Sequence, residues 1–321
     1  MDLISHGLIG SMVAGMGINK KFGIVGTIAM VLGNLAPDFD GIMALKGAKT
    51  FYKYHREVTH SLLGSAVLTV LISLGIYLAT PFKDFLVLLA IVGAGVASHL
   101  IMDSFTPWGL PLFYPFSNKK YSFNLIWFID PVIIGSLVVG TLINSQFKLA
   151  PITNIVSFAV ITAYLVLRYR MRKKARTMVC ADMPRGYRGA KVWVLPSAVS
   201  PFIWDVIMHT RSKYQYLCVD TRRMLVLKNK EYSSAAYHKC VACSQESELV
   251  EIFLKRARFP FYNILKDEGI YIVEWLDVHL MQLGGVHGVR VAVDNETGAI
   301  LEEKLKVKKP VRRRKKAVAV A

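Results

Sequence analysis

The stretch Pro37-Asp38-Phe39-Asp40, followed by His55-Arg56-Glu57-Val58-Thr59-His60-Ser61, decides how this chain reads. Carboxylates and imidazoles gather here between long apolar runs. Ionisable groups beside membrane-depth apolar segments are costly and persist where a partner or a function holds them. Asp and His are also the ligands of a divalent ion: imidazole favours zinc-like ions, and carboxylate accepts manganese or magnesium as well. His99 and Asp103 lie four apart on a predicted helix, so they share one face and can hold one ion.

Each piece has a plainer reading. Proline stops a helix and pre-sets a turn, and Asp is a favoured cap, so P-D-x-D can be an N-cap pair. Thr59 can cap a helix that starts at Ser61, and Asp103 can cap the segment after it. His6, alone in the apolar N-terminal run, reads more simply as a satisfied polar group. Capping alone does not explain four metal-capable side chains at one end of a bundle.

Working outward, Ser61–Thr80 carries no charge and, at about 20 residues, is long enough to cross a ~30 Å hydrocarbon core. Phe85–Met102 is a second span, Leu125–Ile143 a third interrupted by Asp130-Pro131, and Ile152–Leu167 a fourth. Asp130-Pro131 either kinks the third span or starts it after an interfacial segment. Leu3–Gly17 and Phe22–Ala36 form a helical hairpin, a re-entrant pair, or one span after an interfacial helix. The chain has 321 residues, 53% of them hydrophobic, which is too apolar for an ordinary soluble domain.

The net charge of +18 comes mostly from two blocks, Arg168–Arg176 and Lys304–Lys316. Without them little excess remains, so no specific nucleic-acid surface is expected; basic blocks beside membrane segments meet anionic headgroups. By the positive-inside rule, Arg168–Arg176 is cytoplasmic. Counting back puts Pro37–His60 and Asp103–Asn124 on that side too, with Lys46, Lys49, Lys53, Arg56, Lys119 and Lys120, and leaves Lys83 and Lys148 outside. Met1–Gly17 lacks a basic leader and reads as mature protein.

After Thr177 the pattern changes to short β-rich runs: Val192–Val194, Tyr214–Val219, Leu225–Leu227, Ile270–Trp275, Val289–Val293 and Ala299–Lys306, with a turn at Asp294–Gly298 and a short helix at Ser247–Lys255. The expected organisation is an α-helical transmembrane bundle over 1–176, a small, mostly β, cytoplasmic domain over 177–307, and a basic disordered tail over 308–321. Four cysteines, Cys180, Cys218, Cys240 and Cys243, all lie beyond the last apolar run. Cys240-x-x-Cys243 with His238 is half of a zinc site, or simply two thiols. Trp193, Trp204 and Trp275 read as core, and His209, His279 and His287 have no supporting pattern.

Together the pieces resemble the membrane-bound metal-dependent hydrolase family of the YdjM or DUF457 type, over roughly residues 1–140. The resemblance rests on His6, P-D-x-D at Pro37–Asp40, H-R-x-x-T-H-S at His55–Ser61, S-H-x-x-x-D at Ser98–Asp103, then Thr106, Gly109 and Tyr114-Pro115. Pro201-Phe202-x-Trp204 is similar to the start of the longer family members' cytoplasmic domain. More distantly, the order of His and Asp is similar to the zinc-dependent phospholipase C and S1–P1 nuclease group, although the N-terminal Trp and a later His-x-x-x-Glu are missing. The resemblance implies a metal site of His6, Asp38, Asp40, His55, His60, His99 and Asp103 holding one or two ions, zinc first, and it implies hydrolysis. Whichever of Asp38 and Asp40 does not ligate would be the general base, and Arg56 would hold a phosphate or carboxylate, or else anchor the inside loop. Thr59, Ser61 and Thr106 would support the ligands. The expected location is a bacterial-type cytoplasmic membrane, with membrane lipids as partners and a small or lipid-linked ester as substrate. The rival expectation is a membrane-anchored regulatory or adaptor protein with a structural metal.

Overall fold

A computed structural model describes residues 1–308 except 211–212, 268 and 284. The basic tail read at 308–321 lies, from residue 309 on, outside the described residues. Two compact units emerge: one takes Met1–Met183, Trp193–Val206 and Cys218–Leu227, the other Pro184–Val192, Ile207–Leu217 and Lys228–Ala321.

The first unit is helical. Helix α1 (Leu3–Val13) passes through a π turn into α2 (Asn19–Leu35). Gly17 and Gly23 have φ of 151° and 62°, which only glycine takes without strain, and they turn the chain back on itself. Gly10 of α1 then lies against Asn34 and Val31 of α2, and Gly7 against Leu35. Leu3–Lys46 thus reads by length as one apolar stretch, but it is a hairpin. At 1.5 Å per residue, α1 is only about 16 Å long and cannot cross a ~30 Å core alone. The fold-back argues against one span after an interfacial helix and agrees with a helical hairpin or a re-entrant pair.

Helix α2 runs into a 3₁₀ stretch, Ala36–Lys46, and then α3 (Ala48–Tyr54). Helices α4 (Leu62–Ala79) and α5 (Phe85–Ser104) come next, capped by Ser61 and Asp84. The helix after the Asp130-Pro131 pair, α6 (Pro131–Phe147), is capped by Asp130, whose Oδ1 accepts from Val132 N at 3.0 Å. The third apolar run is therefore helical only from Pro131, and residues 125–130 are non-helical. Helix α7 (Ala150–Ala181) has 32 residues. It is about 48 Å long, so it continues past the apolar Ile152–Leu167 into its basic end. Helices α4, α5 and α7 are long and apolar enough to cross a membrane, the Leu3–Lys46 stretch has the length and hydropathy but is broken at Gly17 and Gly23, and α6 is a shorter apolar helix.

Helix α5 is the bundle's axis. Gly33 and Gly95 bring α2 and α5 into backbone contact. A Cβ on Gly33 would meet Val92 O at 2.4 Å, and one on Gly95 would meet Met30 O at 2.5 Å. Small residues drive such packing where lipid removes any hydrophobic drive between helices. Leu88, Ile91, Val92 and Val96 pack there with Ala29 and Met30. On the other side, Ile9, Met12, Ile133, Leu137, Ile161 and Tyr164 form a second core.

Beyond α7 come β1 (Lys191–Pro196), β2 (Ile203–His209), β3 (Lys213–Asp220) and β4 (Leu225–Ser233), which form one sheet in that order. The chain continues through α8 (Lys239–Gln245), α9 (Glu248–Arg256), β5 (Pro260–Asp267), β6 (Ile270–Asp277), α10 (Leu280–Leu283), β7 (Gly285–Asp294) and β8 (Ile300–Lys308). β5 to β8 pair antiparallel in sequence order. Val250 and Phe253 of α9 close that sheet over Val273, Trp275, Val289 and Val291. A helical membrane part succeeded by a small, mostly β part is the fold that the residue pattern predicts. β2 and β5 and the short α8 and α10 are additions to it.

Adding a methyl at the helix crossing should cost roughly 1–3 kcal/mol by overpacking. Gly33→Ala and Gly95→Ala should therefore lower the thermal unfolding midpoint in detergent, while Gly75→Ala, with nothing within 4 Å, should not.

Candidate metal centre

The site is assembled where α1, the end of α2 with its 3₁₀ extension, the 55–61 loop and the end of α5 converge. Asp38, His60, His99 and Asp103 each offer one donor atom, all within 4.8 Å of one another. His60 Nε2 lies 3.3 Å from His99 Nε2, 3.4 Å from Asp38 Oδ1 and 3.6 Å from Asp103 Oδ2. His99 Nε2 is 3.8 Å from both Asp38 Oδ1 and Asp103 Oδ2. Four ligands at about 2.0–2.2 Å around a tetrahedral ion are about 3.3–3.6 Å apart. The three His60 edges, at 3.3–3.6 Å, fall in that range and the two His99 edges to the carboxylates, at 3.8 Å, lie just beyond it.

The hydrogen bonds explain why the donors face inward. His99 Nδ1 lies 2.7 Å from the Asn34 carbonyl oxygen. A carbonyl can only accept, so Nδ1 carries the proton and Nε2 presents a lone pair. Thr59 Oγ1 donates to Asp40 Oδ2 at 2.7 Å and so accepts from His60 Nδ1 at 3.0 Å. His60 Nε2 is therefore also bare. Burial pushes the His60 pKa below its ordinary value, which favours the neutral, ligating form. Asp103 Oδ2, fully buried, accepts no hydrogen bond. Arg56 Nη2 approaches it to 2.7 Å as an ion pair, but the contact lacks hydrogen-bond alignment. Four lone-pair atoms, two of them on carboxylates, thus meet in a buried place, an arrangement that a divalent cation stabilises.

The other predicted residues stand around this set. His6 stacks on His99 with ring centroids 3.7 Å apart, and its Nε2 lies 3.3 Å from Asp103 Oδ1. The Met1 nitrogen also contacts that oxygen. Asp40 faces away from the four donors and organises the loop. It accepts from Thr59 and from Arg56 N at 2.7 Å, and its Oδ1 lies 2.6 Å from His55 Nδ1. His55 stacks on Phe51 at 4.4 Å. Arg56, with φ of 59°, turns its guanidinium over Phe128 at 5.6 Å. Ser61 caps α4, accepting from Gly64 N at 3.0 Å. Thr106 Oγ1 donates to the Asp103 carbonyl at 2.8 Å, tying down the ligand's backbone. Asn34 is the supporting residue that motif reading missed. Its signal was a polar residue at the end of an apolar run.

Among the described residues, no second group has the spacing for a metal. His238 caps α8 by accepting from Cys240 N at 3.2 Å and packs on Tyr271. Cys240 is buried, and that burial pushes its thiol pKa up, which disfavours the thiolate. Trp204 and Trp275 are core residues, and His279 and His287 are buried.

The family model described as YdjM inner membrane protein matches residues 1–175. Over 156 residues the chain is 30% identical to the uncharacterized protein YfhP of Bacillus subtilis, covering 47% of this chain and 48% of that protein. The chain thus spans about half the length of this curated relative. No solved structure matches.

Thr59→Val should remove the bond that orients His60 and weaken metal binding by about 10–100-fold. His99→Ala and Asp103→Ala should abolish stoichiometric metal. His209→Ala, on β2, should change nothing. Metal content of folded, detergent-purified variants checks all four.

Proposed function

The chain belongs to the YdjM inner membrane protein family, and from that premise we propose that it is an integral membrane, metal-dependent hydrolase acting at the cytoplasmic face on a phosphoester, one carried on a lipid. The observation that supports this reading is the set of Asp38, His60, His99 and Asp103, whose donor atoms lie within 4.8 Å of one another at one end of apolar helices. Two imidazole nitrogens and two carboxylate oxygens suit zinc first, and also manganese. Such an ion supplies Lewis acidity, which polarises an ester oxygen and makes water a nucleophile near neutral pH.

The chain's own residues carry the rest. Arg56 stands at the rim of the donor set and offers a planar, permanently charged fork that matches phosphate. The His55–Asp40 pair, at 2.6 Å, is a partly exposed imidazole steered by a carboxylate. It is the group placed to take and return a proton. Asp40 also fixes Thr59 and hence His60, so it positions the centre instead of ligating it. A substrate in the membrane reaches a site at this depth by lateral diffusion, which supports a lipid-linked ester over a soluble one.

Purified protein loaded with zinc or manganese should hydrolyse a phosphomonoester or phosphodiester and lose that turnover with a chelator. Arg56→Ala should keep its metal and lose at least tenfold in kcat/KM. Metal retained with no turnover in any variant would support the membrane-anchored regulatory or adaptor reading instead.

The cytoplasmic placement has its own check. In intact cells, an impermeant thiol reagent should label Lys83→Cys and Lys148→Cys and spare Lys49→Cys and Lys119→Cys. The reverse pattern contradicts it.

A further inference from the structure

Helix α7 changes character at Arg168, the first charge after the apolar Ile152–Leu167. That side chain is only 1% exposed. Its Nε donates to Leu125 O at 2.7 Å, another Arg168 nitrogen donates to Pro201 O, and the guanidinium stacks on Trp204 at 4.1 Å. Residues 201–204 are thus pinned to α7 where its apolar run ends.

The turn between β3 and β4 hangs from the same point. Phe202 O accepts from Thr221 N at 3.0 Å and from Thr221 Oγ1 at 2.8 Å. Arg222 lies over the Phe202 ring at 5.7 Å. Asp220 Oδ1 accepts from Arg222 N at 2.8 Å and from Arg223 N at 3.1 Å, closing the turn. All these residues fall in the same compact unit as the membrane helices.

The turn's cargo is unusual for a water-facing hairpin. Met224, Leu225, Val226 and Leu227 are consecutive and 46–55% exposed, and β4 is exposed on both faces. Arg222 and Arg223 precede them. Val199, three residues before Phe202, is 82% exposed. Exposed apolar residues rimmed by cations mark an interaction surface, and aromatic residues with Lys and Arg at span ends mark the bilayer interface.

We infer that the β3–β4 turn is a membrane-interface anchor: Met224–Leu227 enters the boundary between headgroups and acyl chains, and Arg222 and Arg223 contact anionic headgroups. The occupant is the bilayer because Arg168 and Phe202 hold the turn at the level where the spans end. Side chains here gain by leaving water, and each arginine gains further near an anionic surface. This inference is independent of the hydrolase reading.

The test uses the full-length chain in lipid nanodiscs with Val226→Trp, and with Leu225→Trp on the opposite face of the strand as a second variant. The added tryptophan emission, taken by difference from the parent, should fall at least twofold when the acyl chains are brominated. It should also resist acrylamide relative to free N-acetyltryptophanamide. Adding Arg222→Glu and Arg223→Glu should weaken the bromolipid quenching in discs containing phosphatidylglycerol and leave it unchanged in zwitterionic discs. Free access of acrylamide with no bromolipid effect in either variant overturns the anchor. Protection from acrylamide without bromolipid quenching, varying with protein density, would assign the surface to a second copy of the chain and also overturn it.

Discussion

Two carboxylates, Asp38 and Asp103, face two bare imidazole nitrogens within 4.8 Å at the end of an apolar bundle, and the fold is arranged to hold these groups against their own repulsion. Of their oxygens, the buried Asp103 Oδ2 accepts no hydrogen bond, and an unsatisfied buried acceptor is costly, so a cation among the four donors would stabilise them. Arg56 supplies one charge, but its contact with Asp103 lacks hydrogen-bond alignment. The His60 edges, at 3.3–3.6 Å, are the spacing of ligands around one tetrahedral ion.

The glycine crossing is what makes this geometry possible. Gly33 and Gly95 let α2 and α5 touch along their backbones. That closeness puts the Asn34 carbonyl within 2.7 Å of His99 Nδ1 and fixes which nitrogen is free. A parallel device works from the loop side, where Asp40 orders Thr59, and Thr59 orders His60. Two supports from separate elements therefore set the tautomers of two ligands. Because they are independent, loss of one should loosen a single ligand and leave the fold intact.

Much of this was legible in the residues. Apolar runs beside charged ends revealed the helices, and the i, i+4 spacing of His99 and Asp103 placed both on one face. The reasons the rest stayed hidden are physical. The N-terminal hairpin depends on positive φ at Gly17 and Gly23, which leaves no trace in hydropathy. α7 runs beyond Leu167 because a helix rich in Arg and Lys remains a good helix, so a change of polarity did not mean an end of structure. β2 is buried along five successive residues, and so lacks the alternation that marks a strand. Motif spacing gathered seven candidate ligands, yet it could not separate the four that converge from His6, which stacks on His99, or from Asp40 and His55, which pair with each other. That division depends on which way the 55–61 loop turns, and the left-handed Arg56 sets it.

The central claim is that a single ion sits among two imidazoles and two carboxylates. X-ray absorption at the metal edge of the purified, metal-replete protein tests it most directly. The predicted result is a first shell of four nitrogen and oxygen atoms at about 2.0–2.1 Å, with the outer-shell scattering of two imidazole rings and no sulfur. A shell containing sulfur, a shell without imidazole, or protein that takes up no metal would contradict it.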